Sequence, residues 1–88
     1  MKTWEVILSK KAQEDLNKLK SIGLFDKAKE LVAVLKENPF LNPPPYEKLV
    51  GNLQGLYSRR INIKHRLVYR VVKETNTVEI LRMWSHYE

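Results

Sequence analysis

The feature that most constrains this chain is the stretch Leu56–Val72, LYSRRINIKHRLVYRVV. Its Leu, Ile, Val and Tyr recur at the two-residue spacing of a strand, and Arg59, Arg60, Lys64, His65, Arg66 and Arg70 fill the positions between. No acidic residue interrupts it. The spacing predicts a basic β-hairpin turning around Ile63. A third strand, ending in the terminal RMWSHYE, is expected to pair with it.

The charge is concentrated here. Of a formal net charge of +6, residues 48–73 carry seven Lys/Arg and no Asp/Glu. Residues 1–47 carry eight against seven, and residues 74–88 one against three. A block this rich in arginine is expected to attract polyphosphate or an acidic protein, where scattered lysines would imply only a solvated face.

The rest of the chain supplies a frame. With 88 residues it is expected to be one domain with a modest core. It has no cysteine, which fits a reducing compartment and removes thiolate metal sites. The apolar run in MKTWEVILSKK is too short for a signal peptide, and no later segment could span a bilayer, so a cytoplasmic protein without a membrane partner is expected. Thr3–Leu8 reads as a first strand. Ser9 caps a helix whose apolar stripe is Ala12, Leu16 and Leu19, and Gly23 breaks it. A second helix spans about Leu24–Glu37 on Ala28, Leu31, Val32 and Leu35, and Asn38-Pro39 stops it. Residues 38–46, NPFLNPPPY, form a connector that its prolines should stiffen into an extended spacer. The fold class is α+β: a two-helix hairpin packed on one face of a small, mainly antiparallel four-stranded sheet.

Register sharpens the basic patch. A first hairpin centred on Ile63 sets Arg60 opposite Arg66. A second centred near Asn76 sets Arg66 opposite His86. Directly opposed residues share a face, so Arg60, Arg66 and His86 should form a row, on a face with Ser58, Val68, Arg70, Ile80, Arg82 and Trp84. Ile61, Leu67, Tyr69, Val71, Leu81 and Met83 should face the helices. Arg59 and Glu79 fit badly, since the same alternation turns them toward the core. His65 falls on that side too, where a structural role is expected.

Arginine offers a rigid fork of donors that matches phosphate. Beside a histidine it suits phosphoryl chemistry on RNA, whose 2′-hydroxyl supplies its own nucleophile. That reaction needs a base, cations for the phosphorane, and an acid for the departing 5′-oxygen. His86 suits the acid, and a carboxylate suits the base. Two histidines without HxxxH or HExxH spacing do not indicate a metal site, and no Gly-rich phosphate loop is present. Residue types alone favour simple nucleic-acid binding over cleavage.

The ordered motifs add more. The helix hairpin, the proline-rich connector, EKL, NLxGLYSRRI, HRLVYRV and the terminal HY together resemble the YoeB/Txe branch of the RelE-like toxins of bacterial toxin–antitoxin systems. The match is dense from Pro44 onward. The resemblance implies a RelE-like fold and an mRNA interferase, a ribosome-dependent endoribonuclease that cuts mRNA in the A site of the 70S ribosome with no metal or other cofactor. By matched position, Glu47 is implied as general base, Arg66 as the arginine that stabilises the transition-state phosphate, His86 as general acid and Tyr87 as an orienting or stacking group. Arg60 is implied as a supporting phosphate ligand, with Arg59, Lys48 and Arg70 as further RNA or phosphate contacts. Implied partners are a YefM/Phd-type antitoxin, operator DNA through the antitoxin complex alone, and a second copy in a homodimer.

Two features depart from the pattern. Glu88 extends the chain past His-Tyr and adds a carboxylate that either favours protonated His86 or is simply solvated. Strict alternation also turns Tyr87 away from the face of His86. Two other functions remain open on the sequence: a ParE-like inhibitor of DNA gyrase, and a non-catalytic RNA-binding relative.

Overall fold

The computed structural model of the chain describes residues 3–84. Strand β1 (Glu5–Leu8) leads into helix α1 (Lys10–Ser21), then helix α2 (Phe25–Glu37). After the connector come the short strand β2 (Tyr46–Lys48), β3 (Leu56–Arg60), β4 (Arg66–Val72) and β5 (Thr77–Arg82). One sheet contains all five strands in the order β1-β5-β4-β3-β2. The pairs β2–β3, β3–β4 and β4–β5 are antiparallel, and β1 lies parallel to β5. The α+β class is as expected, with one strand more than predicted. The added strand is β2, whose three residues are too few to show a period.

Local chemistry accounts for the helices. Ser9 is extended, and its hydroxyl accepts from Ala12 N–H at 3.0 Å, satisfying one of the first-turn donors. Gly23, at φ +78°, ends the turn after α1 in a conformation that side chains avoid. Asn38 is extended before Pro39, as the proline demands. Ala12, Leu19, Ala28, Leu31 and Leu35 are buried against Ile61, Leu67, Tyr69, Val78, Ile80 and Met83 of the sheet. The two predicted helical stripes therefore form one side of the core. Among the described residues no helix is long and apolar enough to cross a membrane.

The first hairpin keeps its predicted register, with Arg60 opposite Arg66. The second does not. Val72 pairs with Thr77, Arg70 with Glu79 and Tyr69 with Ile80, and a bulge then carries Val68 to Arg82. The turn is therefore centred between Glu74 and Thr75, earlier than Asn76. Glu79 and Ile80 exchange faces relative to the expectation: Ile80 is fully buried and Glu79 bonds Arg70 on the outer side. Leu81 is the residue the bulge skips. Beyond it Met83 is buried as expected, whereas Arg82 and Trp84, expected on the outer face, reach the helix side: Arg82 bonds Asp15 of α1, and Trp84 packs against the core beneath Lys18. The Arg66 N–H donates to the Trp84 carbonyl, so Trp84 stands at the position expected for His86. His86 and Tyr87 lie outside the described residues, as does Glu88.

Candidate phosphate-binding and active site

The face of the sheet turned away from the helices carries a cleft of about 160 Å³ lined by Pro45, Tyr46, Glu47, Ser58, Arg60 and Arg66. Register explains the grouping. Glu47 on β2 lies opposite Ser58 on β3, and Arg60 two residues further along lies opposite Arg66 on β4. Side chains of directly opposed residues share a face, so three strands deliver one carboxylate and two guanidinium groups to one hollow.

Glu47 and Arg66 meet loosely. Arg66 Nη1 lies 3.7 Å from Glu47 Oε1, and the side chains are 27% and 68% exposed. That is an ion pair without hydrogen-bond geometry, and an exposed pair of this kind holds its partners by about 0–1 kcal/mol. Neither Arg60 nor Arg66 spends its guanidinium on a side-chain hydrogen bond among the described residues. Their donors remain available to an anion. Below them, Ser58 is 2% exposed and its hydroxyl has no hydrogen-bond partner.

The other expected contacts lie elsewhere. Arg59 is 1% exposed and sits on the core side of β3. Its Nη1 donates to the Pro44 carbonyl at 2.6 Å, and its Nη2 to those of Pro39 and Leu41 at 3.0 and 2.9 Å. The expectation that Arg59 binds RNA phosphate is therefore corrected: both terminal nitrogens are occupied by main chain, and Nε, which has no partner, is shielded from solvent with them. The connector curls around this guanidinium, so the extended spacer expected for residues 38–46 is corrected too. Phe40, Tyr46, Tyr57 and Tyr69 pack edge-on or stacked beside it, with ring centroids 5.3–5.9 Å apart. The Tyr69 hydroxyl donates to the Pro39 carbonyl at 2.8 Å. Burial pushes its pKa from 10.0 up to about 12, against the opposing pull of Arg59.

Lys48 pairs with Tyr57 and so alternates away from Glu47; it borders a separate depression with Leu49, Val50 and Gly55. Arg70 shares the outer face, but its guanidinium grips Glu79. It is four residues from Arg66, about 13 Å along the strand. The structure thus brings together Glu47, Arg60 and Arg66, and leaves out Arg59, Lys48 and Arg70.

The end of β5 is anchored by groups that sequence reasoning missed or left unassigned. Asp15 of α1, 2% exposed, accepts from Arg82 Nε at 2.8 Å and from Met83 N–H at 3.0 Å. It caps the open edge of β5 past the end of β1. Its only sequence signal was a carboxylate one position before Leu16 on a helix with an otherwise apolar buried face. His65 has Nδ1 2.7 Å from the Trp84 carbonyl, and its ring lies 4.3 Å from the indole. His65 is thus structural, as its face implied. Among the described residues no three His, Asp or Glu side chains converge as a metal site.

The model of the YoeB-like toxin of bacterial type II toxin–antitoxin systems matches residues 9–87. The chain is 42% identical over 59 residues to Toxin YoeB of Synechocystis, a match covering 67% of this chain and 62% of that protein. It is 38% identical over 64 residues to Toxin YoeB of Escherichia coli K12, covering 73% and 74%. Among solved structures, a YoeB/ParE toxin from Agrobacterium tumefaciens superposes with a TM-score of 0.84 at 27% identity, covering 94% of this chain and 99% of that one. A Staphylococcus aureus YoeB–YefM complex superposes at 0.79 with 34% identity, over 96% and 98%. A YoeB dimer from the same organism superposes at 0.77 with 35% identity, over 96% and 98%.

Proposed function

Since the chain belongs to the YoeB-like toxins of bacterial type II toxin–antitoxin systems, we propose that it is a ribosome-dependent endoribonuclease that cleaves mRNA in the A site. The observation that carries this reading is the carboxylate of Glu47 facing the guanidinium of Arg66 across 3.7 Å, with Arg60 in the same cleft. Glu47 takes the proton of the 2′-hydroxyl. The resulting oxygen attacks the neighbouring phosphorus, while Arg66 and Arg60 hold the charge that builds on the phosphorane. His86 gives a proton to the departing 5′-oxygen, leaving a cyclic phosphate and a free 5′-hydroxyl. Tyr87 orients or stacks on the substrate. The looseness of the Glu47–Arg66 contact favours this role, because a phosphate oxygen can replace the carboxylate at little cost.

The reaction runs in the cytoplasm, where ribosomes supply the mRNA. A YefM/Phd-type antitoxin is the neutralising partner, supported by the YoeB–YefM complex of the S. aureus relative, and operator DNA is contacted through that complex. The S. aureus dimer supports self-association. The excess of seven Lys/Arg in residues 48–73 favours an acidic segment in the antitoxin.

Primer extension on translated mRNA after induction tests the reading. Wild type should give new 5′ ends within codons, and His86→Ala should not. Intact mRNA with DNA-damage signalling would replace it with gyrase inhibition. Binding that weakens steeply with salt, but yields no cleavage product, would leave an RNA-binding module.

A further inference from the structure

The proposed base stands on the least self-sufficient element of the sheet. β2 is three residues long, lies at the sheet edge, and follows a connector containing Pro39, Pro43, Pro44 and Pro45. Prolines donate no N–H, so such a connector leaves carbonyls that its own backbone cannot pair. A one-residue slip in a strand turns every side chain to the other face. Here it would withdraw Glu47 and present Tyr46 or Lys48, and Lys48 would reverse the sign of the group facing Arg66.

We infer that Arg59 is the positioning residue for Glu47: it touches no substrate, and it holds β2 in the register that sets the carboxylate beside Arg66. Arg59 is the register partner of Tyr46, the residue before Glu47. Its guanidinium gathers the carbonyls of Pro39, Leu41 and Pro44, and lies 5.1 Å from the centre of the Tyr46 ring. One planar fork thus ties both the connector and β2 to β3. A lysine presents the same charge from a single point and cannot span three carbonyls with that geometry. Tyr69 acts in support through its bond to the Pro39 carbonyl. The inference rests on the reading of Glu47 as base.

Single-turnover cleavage on programmed ribosomes tests it, using wild type, Arg59→Lys, Tyr69→Phe, Glu47→Gln and the doubles with Glu47→Gln. Near-UV circular dichroism checks the fold of each. Arg59→Lys should lower the maximal rate roughly 10- to 100-fold, as misplacement of a reacting group does, with half-saturating ribosome concentration unchanged. Tyr69→Phe should lower it a few-fold. In the Glu47→Gln background both effects should shrink to less than about two-fold, because the group being positioned is gone. If Arg59→Lys does not fold, Tyr69→Phe carries the same cycle. Equal fold-losses in both backgrounds would overturn the inference and reduce Arg59 to folding alone. A folded Arg59→Lys of wild-type activity would also overturn it. Wild-type activity in Glu47→Gln would instead overturn the reading of Glu47 itself, and the inference with it.

Discussion

Arg59 and Arg60 are neighbours in the chain, and the two faces of the sheet treat their guanidinium groups in opposite ways. On the helix side, Arg59 is buried and bonded to three main-chain carbonyls. On the outer side, Arg60 borders a cleft and makes no side-chain hydrogen bond among the described residues. A charge taken from water is retained only where the protein replaces much of its hydration, and the connector carbonyls do so at both terminal nitrogens, leaving Nε alone without a partner. A charge left at the surface keeps its donors for a ligand. Identical residues thus divide into a buried brace and an open, cleft-lining cation through the pleat of one strand, and each half of that division can be attacked separately.

The largest effect should come from the outer face. Arg66→Ala is expected to lower mRNA cleavage roughly 10²- to 10⁴-fold, as loss of one charge-stabilising group does. Its fold should survive, because the only side-chain partner lost among the described residues is a well-exposed Glu47. Purified Arg66→Ala should match the wild-type urea midpoint closely. An unfolded variant would erase the distinction between the faces.

On the helix side the order reverses, and stability falls first. Arg59→Met keeps the length of the side chain but strips donors from three carbonyls, and should cost about 2–4 kcal/mol in urea unfolding. A wild-type midpoint would mean that the connector holds itself. The same face predicts an alkaline limit. Tyr69 titrates at about 12 in the folded chain against 10.0 in the unfolded, so the folded state holds its proton more tightly. Its contribution to stability is complete below pH 10 and is lost as pH rises toward 12. Tyr69→Phe should remove that dependence.

How legible this was depended on the range of the interaction. The helices, the Ser9 cap and the Arg60–Arg66 register were readable because caps, periods and a tight turn are local signals. The β4–β5 register was not: nothing in VVKETNT announces that the turn centres before Asn76, nor that the ladder then skips a residue between Val68 and Tyr69, and the two together put Trp84 where His86 was expected. Glu47 was identifiable only by resemblance, because a three-residue strand has no period. Arg59 left a clue in its poor fit to the alternation. A core-facing arginine 15 to 20 residues from a proline-rich connector is a donor set beside carbonyls that need one.

A smaller effect should follow where the helices meet the end of β5. Asp15→Asn keeps an oxygen for Met83 N–H and loses the charge that holds Arg82. It should cost about 1–2 kcal/mol, and Asp15→Ala more, because the buried N–H of Met83 is then unpaired. Equal losses from the two variants would assign the stabilisation to the ion pair and leave the edge cap with none.

The smallest effect tests whether the outer face contains a structural polar group of its own. Ser58 is as buried as Arg59, but where Arg59 bonds three carbonyls and leaves only Nε unpaired, the Ser58 hydroxyl has no partner. Removing an unpaired buried hydroxyl removes its desolvation cost and leaves only a void the size of one oxygen. Ser58→Ala should therefore leave stability unchanged or raise it by up to about 1 kcal/mol. Arg59→Met in the same assay moves the other way. A loss above 1 kcal/mol in Ser58→Ala would show that the hydroxyl is paired in solution. The outer face would then be braced from within, as the helix-covered face is by Arg59.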